Sequence, residues 1–132
     1  MLLPITSLFA ALLTLLLLVL SFRIIAIRRR ERIGIGIGES KPLAVAVRIH
    51  GNFTEFVPMA VILLAFMEFA NASAMMLYIC GSVLFLARIS HAIGLSKSVG
   101  TSAYRAFGVL GTFGVLLFQA AYLIGSFFGN LL

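Results

Sequence analysis

Long apolar runs alternate along this chain with short polar joints. Four runs stand out, from about Leu2 to Ile27, Leu43 to Phe66, Ala74 to Leu95 and Ala103 to Phe128. Each exceeds the roughly 20 helical residues needed to cross a hydrocarbon layer of about 30 Å. The pattern predicts an all-α integral membrane protein, a four-transmembrane-helix antiparallel bundle. No positive charge precedes the first run, and it ends in arginines rather than in a small-residue cleavage site. It is therefore expected to stay as an anchor and not to act as a removable signal peptide.

The joints carry their own signals. Ser40 followed by Pro42 reads as a helix start, with Ser as N-cap and Pro in the first turn, so the second helix should begin near Lys41. The stretch IGIGIGES, Ile33 to Ser40, superficially resembles a dinucleotide fingerprint. That motif needs a preceding strand and a βαβ unit, which two membrane helices do not supply, so a tight or flexible turn is the better reading. FANASA, ending at Ala74, is short enough for a tight turn, and GLSKSVGTSA, Gly94 to Ala103, joins the third and fourth spans. Short joints make consecutive helices antiparallel neighbours. Gly108, Gly111, Gly114 and Gly125 in the last span are small residues of the kind that let helices approach closely in lipid.

Composition agrees. The 132 residues suit one domain covering 1–132, with 62% hydrophobic and only 11% charged residues and a mean hydropathy of +1.17. A soluble domain would carry about 25% charged residues. Seven of the ten Lys and Arg residues lie between the first span and the start of the second: Arg23, Arg28, Arg29, Arg30, Arg32, Lys41 and Arg48. Arg88, Lys97 and Arg105 bracket the joint between spans three and four. Basic loops stay in the cytoplasm, so both termini should face outward. Charge beside membrane helix ends is topological and lipid-attracting, and nucleic acid is not expected as a partner. The single Cys80 rules out an intrachain disulfide or a cysteine metal cluster and reads as a structural thiol. Of two N-x-S/T sequons, Asn52-Phe-Thr54 falls on the cytoplasmic side and Asn71-Ala-Ser73 close to the membrane, so neither is expected to carry a glycan.

The chemistry gathers in VRIHGNFTEFVP, Val47 to Pro58. With a helical advance of about 100° per residue, Asn52 lies about 40° to one side of Arg48 and Glu55 about 20° to the other. The three form one stripe about 10 Å long, while His50 points to nearly the opposite side. A charged Glu55 at membrane depth costs roughly 2.5–3.5 kcal/mol and should face protein or water. Arg48, two turns away, is expected to be too far for direct contact, which leaves Arg88 and Arg105 as candidate cations. Arg88 and His91 share a face of the third helix, and Ser102 sits one turn before Arg105. Pro58 removes a backbone donor and is expected to kink the second helix and open space beside the stripe. Two readings follow. The charges form a buried ion network that sets helix register, or they form a site for an anionic polar ligand entering from the cytoplasm. Three arginines against one glutamate favour the second.

The pattern R-x-H-x-N-x-x-E-x-x-P (Arg48, His50, Asn52, Glu55, Pro58) behind a basic, Gly-rich loop resembles the membrane-associated proteins in eicosanoid and glutathione metabolism (MAPEG). R-x-x-H on the third helix (Arg88, His91) and Arg105 on the fourth fit as well. The resemblance covers nearly the whole chain and is closest to the small bacterial members. It implies a homotrimer in a bacterial inner membrane, with glutathione bound between subunits near the cytoplasmic face. By resemblance, Arg48, Asn52 and Glu55 would contact glutathione, with Arg88 and His91 contributed by a neighbouring subunit. Arg105 would be catalytic, stabilising the thiolate. The implied activity is conjugation of hydrophobic electrophiles or reduction of lipid hydroperoxides, the lipid-soluble substrate entering from the bilayer. Leu95 departs from the pattern, standing where well-catalysing members often carry Tyr, and the loop before Arg105 aligns only with a one-residue shift. Two alternatives stay open: a non-catalytic lipid-binding or scaffold member of the same fold, and a small four-helix drug-efflux transporter. The latter normally carries an essential Glu in its first helix, where this chain has no ionisable residue.

Overall fold

The computed structural model describes residues 2–97 and 102–129, which form four helices: α1 Pro4–Glu31, α2 Lys41–Phe69, α3 Ala74–Lys97 and α4 Ala103–Gly129. All four are long and apolar enough to cross a membrane. Most ends outrun the apolar stretches because they are finished in polar sequence. The last turn of α1 holds Arg28, Arg29 and Arg30 beside its unpaired carbonyls, where positive charge is favoured. Arg32 then takes a left-handed conformation (φ 55°) and its backbone N–H closes onto the Arg28 carbonyl. Ser40 caps α2 as expected, its hydroxyl accepting from the Leu43 N–H at 3.1 Å, with Pro in the first turn. Ser102 caps α4 in the same way through the Arg105 N–H at 3.2 Å. The preceding joint, GLSKSVGTSA, lies partly outside the described residues.

The IGIGIGES joint is tightly built. The Arg28 guanidinium donates to the carbonyls of Ile33, Gly34 and Gly36 through Nη1. Gly36 and Gly38 have φ of 69° and 52°, a region open to glycine and strained for most other residues.

One capping group is invisible to local reading. The N-cap position of α1 is Leu3, which has no side-chain acceptor. The acceptor comes from the far end of α2: the Glu68 carboxylate takes the Ile5 N–H at 3.0 Å and the Thr6 N–H at 2.8 Å. These backbone donors would otherwise go unpaired at a membrane surface. The adjoining turn is closed by Asn71 at φ 58°.

α2 and α3 touch every other helix, whereas α1 and α4 make no contact among the described residues. Lipid tails are as apolar as leucine, so close packing and internal hydrogen bonds must hold such helices together. The tightest seam is α3 on α4. A Cβ on Gly108 would meet the His91 Cβ at 2.5 Å and the Ala87 carbonyl at 2.8 Å, and one on Gly111 would meet the Ala87 Cβ at 3.0 Å. Gly114 and Gly125 face open space, so only part of the glycine row serves this seam. The interior is filled by Phe9, Leu13, Ile49, Phe53, Leu64, Met67, Leu77 and Leu84, while Leu15, Val19, Phe22, Leu110 and Leu117 look outward as a lipid-facing belt should. Gln119, fully buried on α4, donates to the Ala60 carbonyl of α2 at 3.2 Å.

Helix α2 runs through Pro58, which lines a groove between α1 and α2 and not the polar cavity. Its position three residues beyond Glu55 rotates it away from the polar stripe, towards the Thr54 and Val57 side.

Candidate functional site

The stripe on α2 forms one wall of a polar cavity of about 260 Å³. Arg48, Asn52, Glu55 and Phe56 come from α2, His91 and Leu95 from α3, and Arg105, Val109 and Phe113 from α4. Helical phase accounts for the α2 wall, and the Gly108 seam accounts for the opposite side. Without a side chain at Gly108, α4 lies directly on the His91 turn, which brings Arg105 and His91 to one mouth. Phe56 and Phe113 meet edge to face with centroids 5.2 Å apart, giving the cavity an apolar border.

The charges pair differently from expectation. Arg48 Nη1 donates to Glu55 Oε1 at 3.2 Å, so the expected separation of these two is corrected. Seven residues rise about 10 Å, but both side chains are long, and lying along the helix they close that distance. Both remain substantially exposed, with side-chain accessibilities of 64% and 48%. Such a pair is weak and easily opened, and either partner is free to exchange for a ligand group.

Arg88 is not the cation for Glu55. It is 2% exposed and donates through Nη2 to Asn52 Oδ1 at 2.7 Å and through Nη1 to Thr112 Oγ1 at 3.3 Å. Its guanidinium carbon also lies 5.8 Å from the centre of the Phe53 ring. Thr112 in turn donates to the Gly108 carbonyl at 2.7 Å. Arg88 therefore stands behind the cavity wall and holds Asn52 in place. Within the single chain, Arg88 and His91 stand at the same wall as Arg48 and Asn52. His91, which lines the cavity, is 4% exposed, and its buried Nδ1 has no hydrogen-bond partner among the described residues. His50 does belong elsewhere, as its phase indicates: its Nε2 lies 3.1 Å from the Ser21 hydroxyl of α1.

Thr112, Phe56 and Phe113 complete the site without having been singled out in the sequence. Thr112 carried a faint signal, a hydroxyl one turn from Gly108 on the face that packs against α3. The aromatics carried none in a chain with 12 Phe. A larger hollow of about 390 Å³ lies between α3 and α4, but its lining of Met76, Ile79, Cys80, Val83, Gly111, Gly114, Val115 and Phe118 is almost wholly apolar. Of these two, the smaller cavity carries the polar side chains.

Two curated relatives carry the name inner membrane protein YecN, one from Escherichia coli strain K12 and one from Escherichia coli O6:H1 strain CFT073. Each is 37% identical over 90 residues, covering 68% of this chain and 69% of the relative. No solved structure matches the chain. The MAPEG family model matches residues 6–125, which takes in α2, α3, nearly all of α1 and α4, and every residue of the polar cavity. With that match and these relatives, the chain belongs to the MAPEG family, as a bacterial-type member.

Proposed function

We propose that this protein is a glutathione-dependent enzyme of a bacterial inner membrane, conjugating hydrophobic electrophiles or reducing lipid hydroperoxides. The observation that carries the reading is the convergence of Arg48, Asn52, Glu55, His91 and Arg105 from three helices on one cavity. A zwitterionic tripeptide end suits the Arg48–Glu55 pair. Its ammonium replaces Arg48 at Glu55, its carboxylate replaces Glu55 at Arg48, and neither charge is left alone. Asn52, held through its oxygen by Arg88, presents its amide NH₂ to a further carbonyl or carboxylate. The Arg105 guanidinium favours the thiolate over the thiol.

In conjugation with a chloronitrobenzene, the thiolate sulfur forms a bond to the ring carbon and chloride leaves with the bonding pair. The thiol proton has already passed to water. Leu95, Phe56, Val109 and Phe113 offer the apolar partner a hydrocarbon border. Proximity and the fixed positive charge supply the acceleration. At about 260 Å³ the cavity is slightly smaller than the roughly 300–1,000 Å³ of most ligand sites. It takes one end of the tripeptide, and the rest lies against a second subunit of a homotrimer. The cavity opens to the cytoplasm in this reading, where the soluble thiol is available.

Purified protein should conjugate glutathione to a chloronitrobenzene, and Arg105→Ala should lower turnover about a hundredfold with little change in KM for glutathione. Equal turnover in Arg105→Ala refutes the thiolate role. Leu95, buried at 6% exposure and lacking a hydroxyl, supports a second reading as a binding member without catalysis. That reading expects glutathione to raise the melting temperature with no turnover at all. No turnover and no shift overturn both.

A further inference from the structure

The α1–α2 joint has a construction that the polar cavity does not use. Ile33 turns inward onto Ile27 and Leu43, whereas Ile35 and Ile37 point out, with Ile35 96% exposed. Exposed isoleucines on a loop cost hydration unless something apolar covers them. The loop is nevertheless held in shape, by the Arg28 guanidinium on three of its carbonyls and by the two left-handed glycines. Arg29 and Arg32, both exposed, precede the isoleucines in the chain, and Lys41 opens the next helix. Arg30 is paired with Glu31 at 2.9 Å, and Glu39 is the other acidic group on the joint.

Position identifies the cover. The apolar run of α1 ends at Ile27, and the four residues from Arg28 to Glu31 raise the joint about 6 Å above it. The headgroup layer on each side of a bilayer is roughly 5–8 Å deep, so the loop lies within it. We infer that the α1–α2 joint is a binding site for an anionic phospholipid. Ile35 and Ile37 dip among the upper acyl carbons, and Arg29, Arg32 and Lys41 hold the headgroup phosphate. Satisfied carbonyls are what allow an irregular loop to sit at this depth. A second copy docked about a two-fold axis is a poor cover, because it would bring the same arginines against these.

The chain contains no Trp, so Ile35→Trp creates a single fluorophore. The variant and a control, Glu39→Trp, are reconstituted in vesicles of equal phosphatidylglycerol and phosphatidylcholine, one or the other brominated on its acyl chains. Ile35→Trp should show blue-shifted emission and at least about twofold stronger quenching by brominated phosphatidylglycerol than by brominated phosphatidylcholine. Its quenching should also exceed that of Glu39→Trp. Adding Arg29→Gln and Arg32→Gln should bring the two lipids to equal quenching while the emission stays blue-shifted, and millimolar inorganic phosphate should leave the preference intact. Water-like emission, equal quenching by both lipids in the arginine-intact protein, or loss of the preference to free phosphate overturns the proposal. So does blue-shifted emission that neither lipid quenches, which would place Ile35 against protein.

Discussion

Asn52 is the residue on which the polar cavity turns. Its carbonyl oxygen accepts from the buried Arg88 at 2.7 Å, which leaves its NH₂ to the cavity and fixes which way round the amide sits. Arg88 is thereby a positioning residue, with Thr112 as its second acceptor and the Phe53 ring beside it. A buried guanidinium that loses its best acceptor keeps its desolvation cost and gives up the compensation. Asn52→Ala is therefore expected to destabilise the protein by about 2–3 kcal/mol, measured by chemical unfolding in detergent. Asn52→Asp keeps an acceptor and adds a countercharge, so its unfolding midpoint should equal or exceed that of the unsubstituted protein. The Arg48–Glu55 pair is the opposite case. Both side chains are half open, and the pair contributes at most about 1 kcal/mol. Under the proposed function, its value is as a self-neutralised pair that a zwitterion can open.

Among the helices, the α3–α4 seam controls the site. Gly108 lies against the His91 turn with no room for a methyl group, whereas nothing stands within 4 Å of a Cβ at Gly114. Gly108→Ala is expected to cost about 1–3 kcal/mol through overpacking. It should also push Arg105 away from His91 and reduce the proposed glutathione conjugation. Gly114→Ala should be neutral or slightly stabilising through helix propensity. Unfolding midpoints of the two variants, side by side, check the contrast. Equal destabilisation would mean that Gly114 also serves a tight contact, one that lies outside the single chain. Elsewhere, α1 and α2 are tied by side chains: Glu68 of α2 completes the start of α1, and Ser21 within α1 meets His50 within α2.

For the molecule as a whole, the basic residues gather at one end, around the α1–α2 joint and the α3–α4 connection, and the other end carries Glu68 and the Asn71 turn. Both termini should then lie on the outer side, with the cavity at the cytoplasmic rim. Alkaline phosphatase joined to the C-terminus should be active and green fluorescent protein there dark; the reverse result would invert the proposed orientation. The number of spans, their limits within a few residues, the Ser40 cap, the α2 stripe and the separate fate of His50 were all legible in the sequence. Hydrophobic run length and a period of about 3.6 residues are local properties, written residue by residue. Three things were not legible: that Arg48 reaches Glu55, that Arg88 serves Asn52 and Thr112, and that Pro58 lines the α1–α2 groove. Helical phase says which way a Cβ points, but not how far a long side chain bends along its helix or which neighbour stands opposite. The Glu68 cap shows this most clearly, since it joins residues more than 60 positions apart, and only the tertiary structure brings that carboxylate to the end of α1.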